Sequence, residues 1–334
     1  MKLMHRSIPA LLLAPLLGLT SAHSAELKLP REGWVSWQVP AVDNAPAWCC
    51  WNNAPGRDAS LQACRLDYTD GFGIQERNST TNAVKVYARV AGGKIDRLQA
   101  LSAGCPVETK TPIQDLGEVA SDDSARWLID QAKREGAETA NHRPLGESAL
   151  AALALHRGNL ALDALGRFTH DPRVDTRKWS VFWLAMVRGN EGADITSTVM
   201  FNDQDADVRK HAAFAMAQTK SPRAAPDLIR QGNTDKVGDV RAQAWFWLSQ
   251  MGAANAEQAI AAALRKDADE GVREQAVFAL SQLPGDRAVK ALIEVAQDQT
   301  LSREQRKRAV FWLSQSESDA AQVYLEKVLA RNSD

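Results

Sequence analysis

From about residue 174 to the C-terminus, apolar positions recur with the 3.6-residue rhythm of amphipathic helices, and the whole pattern restarts at a fixed interval. AWFWLSQ occupies 244–250, AVFALSQ 276–282 and AVFWLSQ 309–315. Aligned on the first letter of this word, Ser180, Ala212, Ala244, Ala276 and Ala309 are separated by 32, 32, 32 and 33 residues. The third letter is Phe182, Phe214, Phe246, Phe278 and Phe311, and the fifth is Leu184, Met216, Leu248, Leu280 and Leu313. Three residues ahead of each word stand Arg177, Arg209, Arg241, Arg273 and Arg306. A period in this range predicts stacked repeats, in which each unit covers the apolar face of its neighbour.

Each unit divides into two helices. In DEGVREQAVFALSQL, Val272, Ala276 and Leu280 share one helical face; LPGD breaks the run, and RAVKALIEVAQD supplies a second amphipathic stretch. Acidic residues at the start of the first helix, such as Asp207 and Asp239, suit its N-terminus. A weaker unit without the Arg spans 143–173, where ALAALAL at 149–155 runs 31 residues ahead of Ser180. SDDSARWLIDQAKRE at 121–135 predicts a leading helix with Ser121 as its N-cap.

Ahead of this region the period changes to two. GWVSWQV alternates, and NAVKVYARV and KIDRLQAL flank Gly92-Gly93, a hairpin signal. A small β domain is expected over 26–112, with PVETKTPIQDLGE opening a linker and leading helix at 113–142 and the repeat solenoid at 143–334. All four cysteines, Cys49, Cys50, Cys64 and Cys105, fall within the β domain. In an oxidising compartment they predict two disulfides of undetermined pairing, with adjacent Cys49 and Cys50 reaching different partners. A zinc site is the weaker alternative, because the chain has no CxxC spacing. Trp34, Trp37, Trp48 and Trp51 either pack around the disulfides or offer stacking surfaces to a sugar.

The first 25 residues are read apart from the fold. Lys2 and Arg6 precede an apolar run from Ile8 to Leu19 and then small residues, the layout of a signal peptide cleaved between Ala22 and Ala25. The rest is expected to be periplasmic or secreted. It carries 38 basic against 41 acidic side chains, a net charge of −3, with no basic half. That balance argues against nucleic acid as a partner.

The motifs DADVRKHAAFAM, VGDVRAQAWFWL and DEGVREQAVFAL resemble the HEAT repeat family in its short bacterial form, also found in phycobilisome lyase-type repeats. The resemblance covers about 174–334. It implies a mainly α fold: an α-solenoid of HEAT-like helix pairs, here preceded by a small disulfide-stapled β domain. It also implies that acid–Arg pairs link adjacent repeats. Asp175, Asp207, Asp239 and Glu304, two residues ahead of the Arg column, are the expected acids.

Two enzyme families share such repeats, the bilin lyases and the deoxyhypusine hydroxylases. The resemblance implies that the latter hold iron through His-Glu pairs, and this chain has no His-Glu dipeptide. His142, His156, His170 and His211 show no metal-ligand spacing. Neither a cofactor nor catalytic residues are expected. The predicted role is non-enzymatic binding of another protein, as a scaffold or envelope regulatory partner. Its candidate ridge is Phe182, Phe214, Phe246, Phe278 and Phe311 with Gln250, Gln282 and Gln315, which lie opposite the core stripe. The same rings could instead pack between repeats. A ligand sensor using the Trp-rich β domain is the alternative, and a lyase-type enzyme the third reading.

Overall fold

A computed structural model describes residues 27–51, 63–68, 71–74, 80–138 and 144–331. The expected signal peptide and His142 lie outside these residues.

The main sheet contains β1 (Gly33–Pro40), β5 (Ala83–Ala91), β6 (Lys94–Ser102) and β8 (Ile113–Glu118), in the order β6-β5-β1-β8. β5 is antiparallel to both β1 and β6, and β8 lies parallel to β1. Gly92 and Gly93 both adopt positive φ, 57° and 74°, as the tight β5–β6 turn demands. Two smaller ribbons pair β2 (Trp48–Trp51) with β4 (Gly71–Ile74), and β3 (Cys64–Arg65) with β7 (Val107–Glu108). Residues 113–118, expected in the linker, instead form the fourth strand of the main sheet. No residue of β8 is fully buried, so this strand carries little of the apolar alternation that reveals β1 and β5.

The disulfides join Cys49 to Cys105 and Cys50 to Cys64. Neighbouring residues of a strand point to opposite sides, so the adjacent cysteines of β2 reach separate partners. One face of the sheet, with Trp34, Tyr87 and Leu101, packs on these cysteines and Leu66. The opposite face, with Val35, Trp37, Val39, Val84 and Val86, packs on the first helices.

Among the described residues thirteen helices follow. The leading α1 (Ser121–Ala132) packs against the sheet. Six pairs then stack: α2 (Leu145–Leu155) with α3 (Asn159–Phe168), α4 (Val174–Val187) with α5 (Gly189–Asn202), and α6 (Ala206–Ala217) with α7 (Ala224–Thr234). They continue as α8 (Gly238–Gln250) with α9 (Ala256–Lys266), α10 (Glu270–Ser281) with α11 (Asp286–Gln297), and α12 (Arg303–Ser314) with α13 (Asp319–Arg331). Ser121 does not cap α1. Ala120 holds the N-cap position, and the Ser121 hydroxyl donates to the Arg157 carbonyl at 2.7 Å, tying α1 to the α2–α3 turn.

The first and fifth letters of the repeated word are the core. Ala212, Ala244, Ala276 and Ala309 are fully buried, as are Leu184, Met216, Leu248, Leu280 and Leu313. The small first letter lets adjacent helices approach, and the large fifth letter fills the space below. Trp245 is a local variation: its ring is wholly buried against Gly232 of α7, where an added Cβ would meet the indole at 2.4 Å.

Candidate interaction face and its supports

The Arg column connects successive repeats, but through acids other than those expected. Arg177 binds Asp203 through Nε at 2.9 Å and Nη2 at 3.2 Å; Arg209 binds Asp235 at 2.8 and 2.9 Å; Arg241 binds Asp267 at 2.8 and 2.8 Å. The Nη1 atoms of Arg177, Arg209, Arg241 and Arg273 donate to the carbonyls of Asp171, Asp203, Asp235 and Asp267 at 3.0, 2.9, 2.9 and 2.6 Å. Thus Asp203, Asp235 and Asp267 each receive one Arg at the carboxylate and the next at the main chain. Each also accepts the N–H two residues on, at 2.9 Å, turning the chain into the following helix. The Arg241 bond holds the Asp267 carboxyl below the usual carboxylate range.

The acids two residues ahead of Arg do not take part. Asp175, Asp207, Asp239 and Glu304 occupy the first turns of their helices, and Asp207 pairs with Lys210 at 2.8 Å. Residues two apart on a helix do not face each other, so none of these acids reaches the Arg of its own helix, and the place between repeats is taken by Asp203, Asp235 and Asp267. The sequence does carry the correct signal: Asp171, Asp203, Asp235 and Asp267 each stand six residues ahead of an Arg of the column. The series then fails. Arg273 and Arg306 form no ion pair among the described residues; Arg306 Nη1 donates to the Leu301 carbonyl.

On the other side of the first-helix layer, the Phe column forms a chain of ring contacts. Phe182 stacks on Phe214 at 6.0 Å and Phe246 on Phe278 at 5.9 Å, with interplanar angles of 10° and 3°. Trp247 fills the step from Phe214 at 4.8 Å, and Trp312 the step from Phe278 at 5.1 Å. Trp183 carries the chain to Trp48 of the sheet region at 5.3 Å. The alternation of Trp183, Ala215, Trp247, Ala279 and Trp312 therefore supplies large rings where they bridge and small residues where Phe stacks on Phe. Phe182, Phe214, Phe246 and Phe278 are half-buried, and Phe311 is 54% exposed.

The three Gln of the ridge stand at helix C-termini. Gln250 is exposed; the Gln282 and Gln315 amides donate to Ser281 and Ser314 at 3.1 and 3.3 Å. Between α8 and α10 the face hollows into a groove of about 380 Å³, with Phe246 and Phe278 in its lining.

A second set of polar groups joins the sheet to the solenoid. Trp37 Nε1 donates to the Ser124 hydroxyl at 2.7 Å, and that hydroxyl bonds His156 Nε2 at 2.7 Å. His156 Nδ1 lies 2.7 Å from the Ala152 carbonyl. Burial lowers the pKa of His156 to about 4, keeping the ring neutral, and the charge of Arg188 adds to the effect. Arg188, itself pushed down to about 10 by burial, donates to the Leu153 and His156 carbonyls at 3.0 and 2.7 Å. His156 is thus a satisfied core residue. His170 is exposed, and His211 sits among Trp179, Phe182 and Phe214. Trp34 and Trp37 are buried, and Trp48 is half-buried against Trp183. These three rings spend their faces on packing rather than presenting a stacking platform. Among the described residues no group of three His, Cys, Asp or Glu converges as a metal site, and no helix is long and apolar enough to cross a membrane.

A sequence model of the HEAT repeats family matches residues 162–246 and 234–314. Residues 162–314 of the solenoid are HEAT repeats. No curated protein matches the chain by sequence. The chain is similar to human deoxyhypusine hydroxylase in complex with glycerol, at 18% identity over 63% of this chain and 79% of that one, TM-score 0.33. It is also similar to the Escherichia coli protein YibA (22% identity, 58% and 72% covered, TM-score 0.38) and to the CpcE–CpcF complex of the phycocyanin lyase from Nostoc (18%, 60% and 80%, 0.31). Two of these neighbours are enzymes or parts of one, and none of the superpositions reaches a TM-score of 0.5.

Proposed function

We propose that this HEAT-repeat protein is a non-enzymatic scaffold or regulatory partner in an exported, oxidising compartment, and that it holds another protein on the outer face of its first-helix layer. The observation that carries this reading is the half-buried aromatic row from Phe182 to Phe311, in register with the repeats. Packing between repeats accounts for the buried edges of these rings, and their exposed edges form a continuous apolar strip bordered by Gln and Asp. Such a strip offers a partner rigid aromatic anchors with a polar rim. Two disulfides in a region with no free cysteine among its described residues support an oxidising compartment.

Site-specific photocrosslinking in the native envelope tests the proposal. A crosslinker at Gln250 on the outer face should capture a defined protein, whereas one at Lys290, exposed on α11, should not. Equal capture from both positions would show that the outer face is not the binding surface.

A further inference from the structure

We infer that the cleft between α1 and the end of the β5–β6 hairpin holds an uncharged saccharide, a role separate from protein binding on the outer face. The cleft measures about 560 Å³, within the ~300–1,000 Å³ usual for small-molecule sites. Its two sides differ in character. A stripe of α1 that begins at Asp123 and runs on to Arg134 just beyond the helix supplies polar groups, while Leu29, Val90 and Ile95 supply aliphatic ones. A pyranose ring has the same division, with hydroxyls around its edge and C–H groups on its faces.

On the polar side, Arg126 donates to one oxygen of Asp123 at 2.8 Å, and Asp130 meets Lys133 only at 4.0 Å. Arg134 makes no ion pair among the described residues. Carboxylate and guanidinium groups each offer two parallel acceptors or donors, the geometry of neighbouring hydroxyls. The two acids balance the two guanidinium groups, so the wall attracts neither a strong anion nor a strong cation. Trp127 adds an aromatic surface held edge to face against Trp37 at 5.2 Å, and its indole N–H makes no hydrogen bond among the described residues.

Gln131 carries the reading furthest. It lines the cleft, is only 2% exposed, and its Oε1 has no hydrogen-bond partner among the described residues. Its amide nitrogen donates to the Trp127 carbonyl at 3.3 Å, so the bare atom is the acceptor. A buried acceptor left unpaired is destabilising, and a ligand hydroxyl would satisfy it. Other ligand classes fit the two walls less well. An acyl chain would strand the charged groups, an inorganic ion would leave the aliphatic side wet, and a flat nucleobase would meet branched side chains where it needs a second plane.

Isothermal titration calorimetry on the purified full-length protein tests the assignment, with maltotetraose, cellotetraose and chitotetraose as probes. At least one should bind saturably with a Kd below about 1 mM, and tetragalacturonate and adenosine should bind at least about tenfold more weakly. Gln131→Leu should weaken saccharide binding at least about tenfold while the thermal midpoint stays level or rises, because the bare acceptor is removed. A purely structural Gln131 would give the reverse, a lower midpoint with binding unchanged. Trp127→Leu, which keeps bulk against Trp37, should weaken binding to a similar degree. Replacing the exposed pair, Asp130→Ala with Arg134→Ala, should cost about threefold to tenfold in affinity at an unchanged midpoint. Absence of saturable binding, equal or tighter binding of the charged or flat probes, or indifference to Gln131→Leu or to the exposed pair would overturn the inference. Crosslinking from Gln250 should be the same in all of these variants, so each proposal can fail without the other.

Discussion

In the sheet region, residues far apart in the chain are brought together once. Cys49 meets Cys105 across 56 residues, Trp37 meets Ser124, and β8 returns beside β1. In the solenoid each Arg–Asp link spans 26 residues and is made three times over. Each sheet contact depends on a loop closed by the others, so losing one should loosen the whole region. Each solenoid contact belongs to one interface between neighbours, so damage should stay local. Covalent staples are concentrated where contacts are non-local, and repeated charge-assisted pairs where contacts are local.

Reducing the disulfides should break this comparison most strongly. Loop entropy assigns about 4 kcal/mol to the Cys49–Cys105 bridge and about 3 kcal/mol to Cys50–Cys64. Reduced protein should lose near-ultraviolet circular dichroism from the sheet-region tryptophans at low urea while keeping far-ultraviolet helicity. A single coincident loss of both signals would show that the two regions stand or fall together.

The His156 network tests their junction. The folded pKa of His156 is lowered to about 4 from an ordinary 6.5, so between those values the unfolded chain binds a proton that the folded one does not. Stability is therefore insensitive to His156 above pH 6.5 and falls as pH drops towards 4, by on the order of 3 kcal/mol. Urea midpoints measured across this window should show that slope, and His156→Gln should flatten it.

Within the solenoid, Arg241→Met keeps the stem but strands Asp267, and should cost about 1–3 kcal/mol. Hydrogen exchange should quicken around α8–α10 and leave α2 and α3 unchanged. Arg273→Met, which removes only main-chain bonds, should cost under about 1 kcal/mol. Equal costs would mean that the carboxylates contribute nothing to the ladder.

The aromatic row gives the smallest effects. Phe278→Ala should cost about 1–2 kcal/mol, because its ring stacks on Phe246 and touches Trp312. Phe311→Ala should change stability by less than about 0.5 kcal/mol, because the ring is mostly exposed at the end of the row. Comparing the two urea midpoints divides packing from surface along one column of the sequence.

The linear chain determined by itself whatever repeats or alternates locally. The 32-residue period, the helix pairs, the core columns of Ala and Leu and the β5–β6 hairpin were legible because a helix or strand imposes its own spacing on the residues it buries. The candidate face was legible to the same extent, since the Phe column lies opposite the core by helical geometry alone. Only the tertiary structure decided which non-local groups meet. Asp203, Asp235 and Asp267 were readable as a column, but not as partners of the preceding repeat's Arg, because that depends on how far one helix pair is translated along the next. β8 joined the sheet through backbone bonds that leave no pattern in its side chains. Trp245 could be accommodated only opposite Gly232, and His156 remains neutral only because Trp37, Ser124 and Arg188 close around it. A short-range pattern records what each residue does to its own element, whereas packing between elements is settled by shape and charge at distances the linear order does not encode.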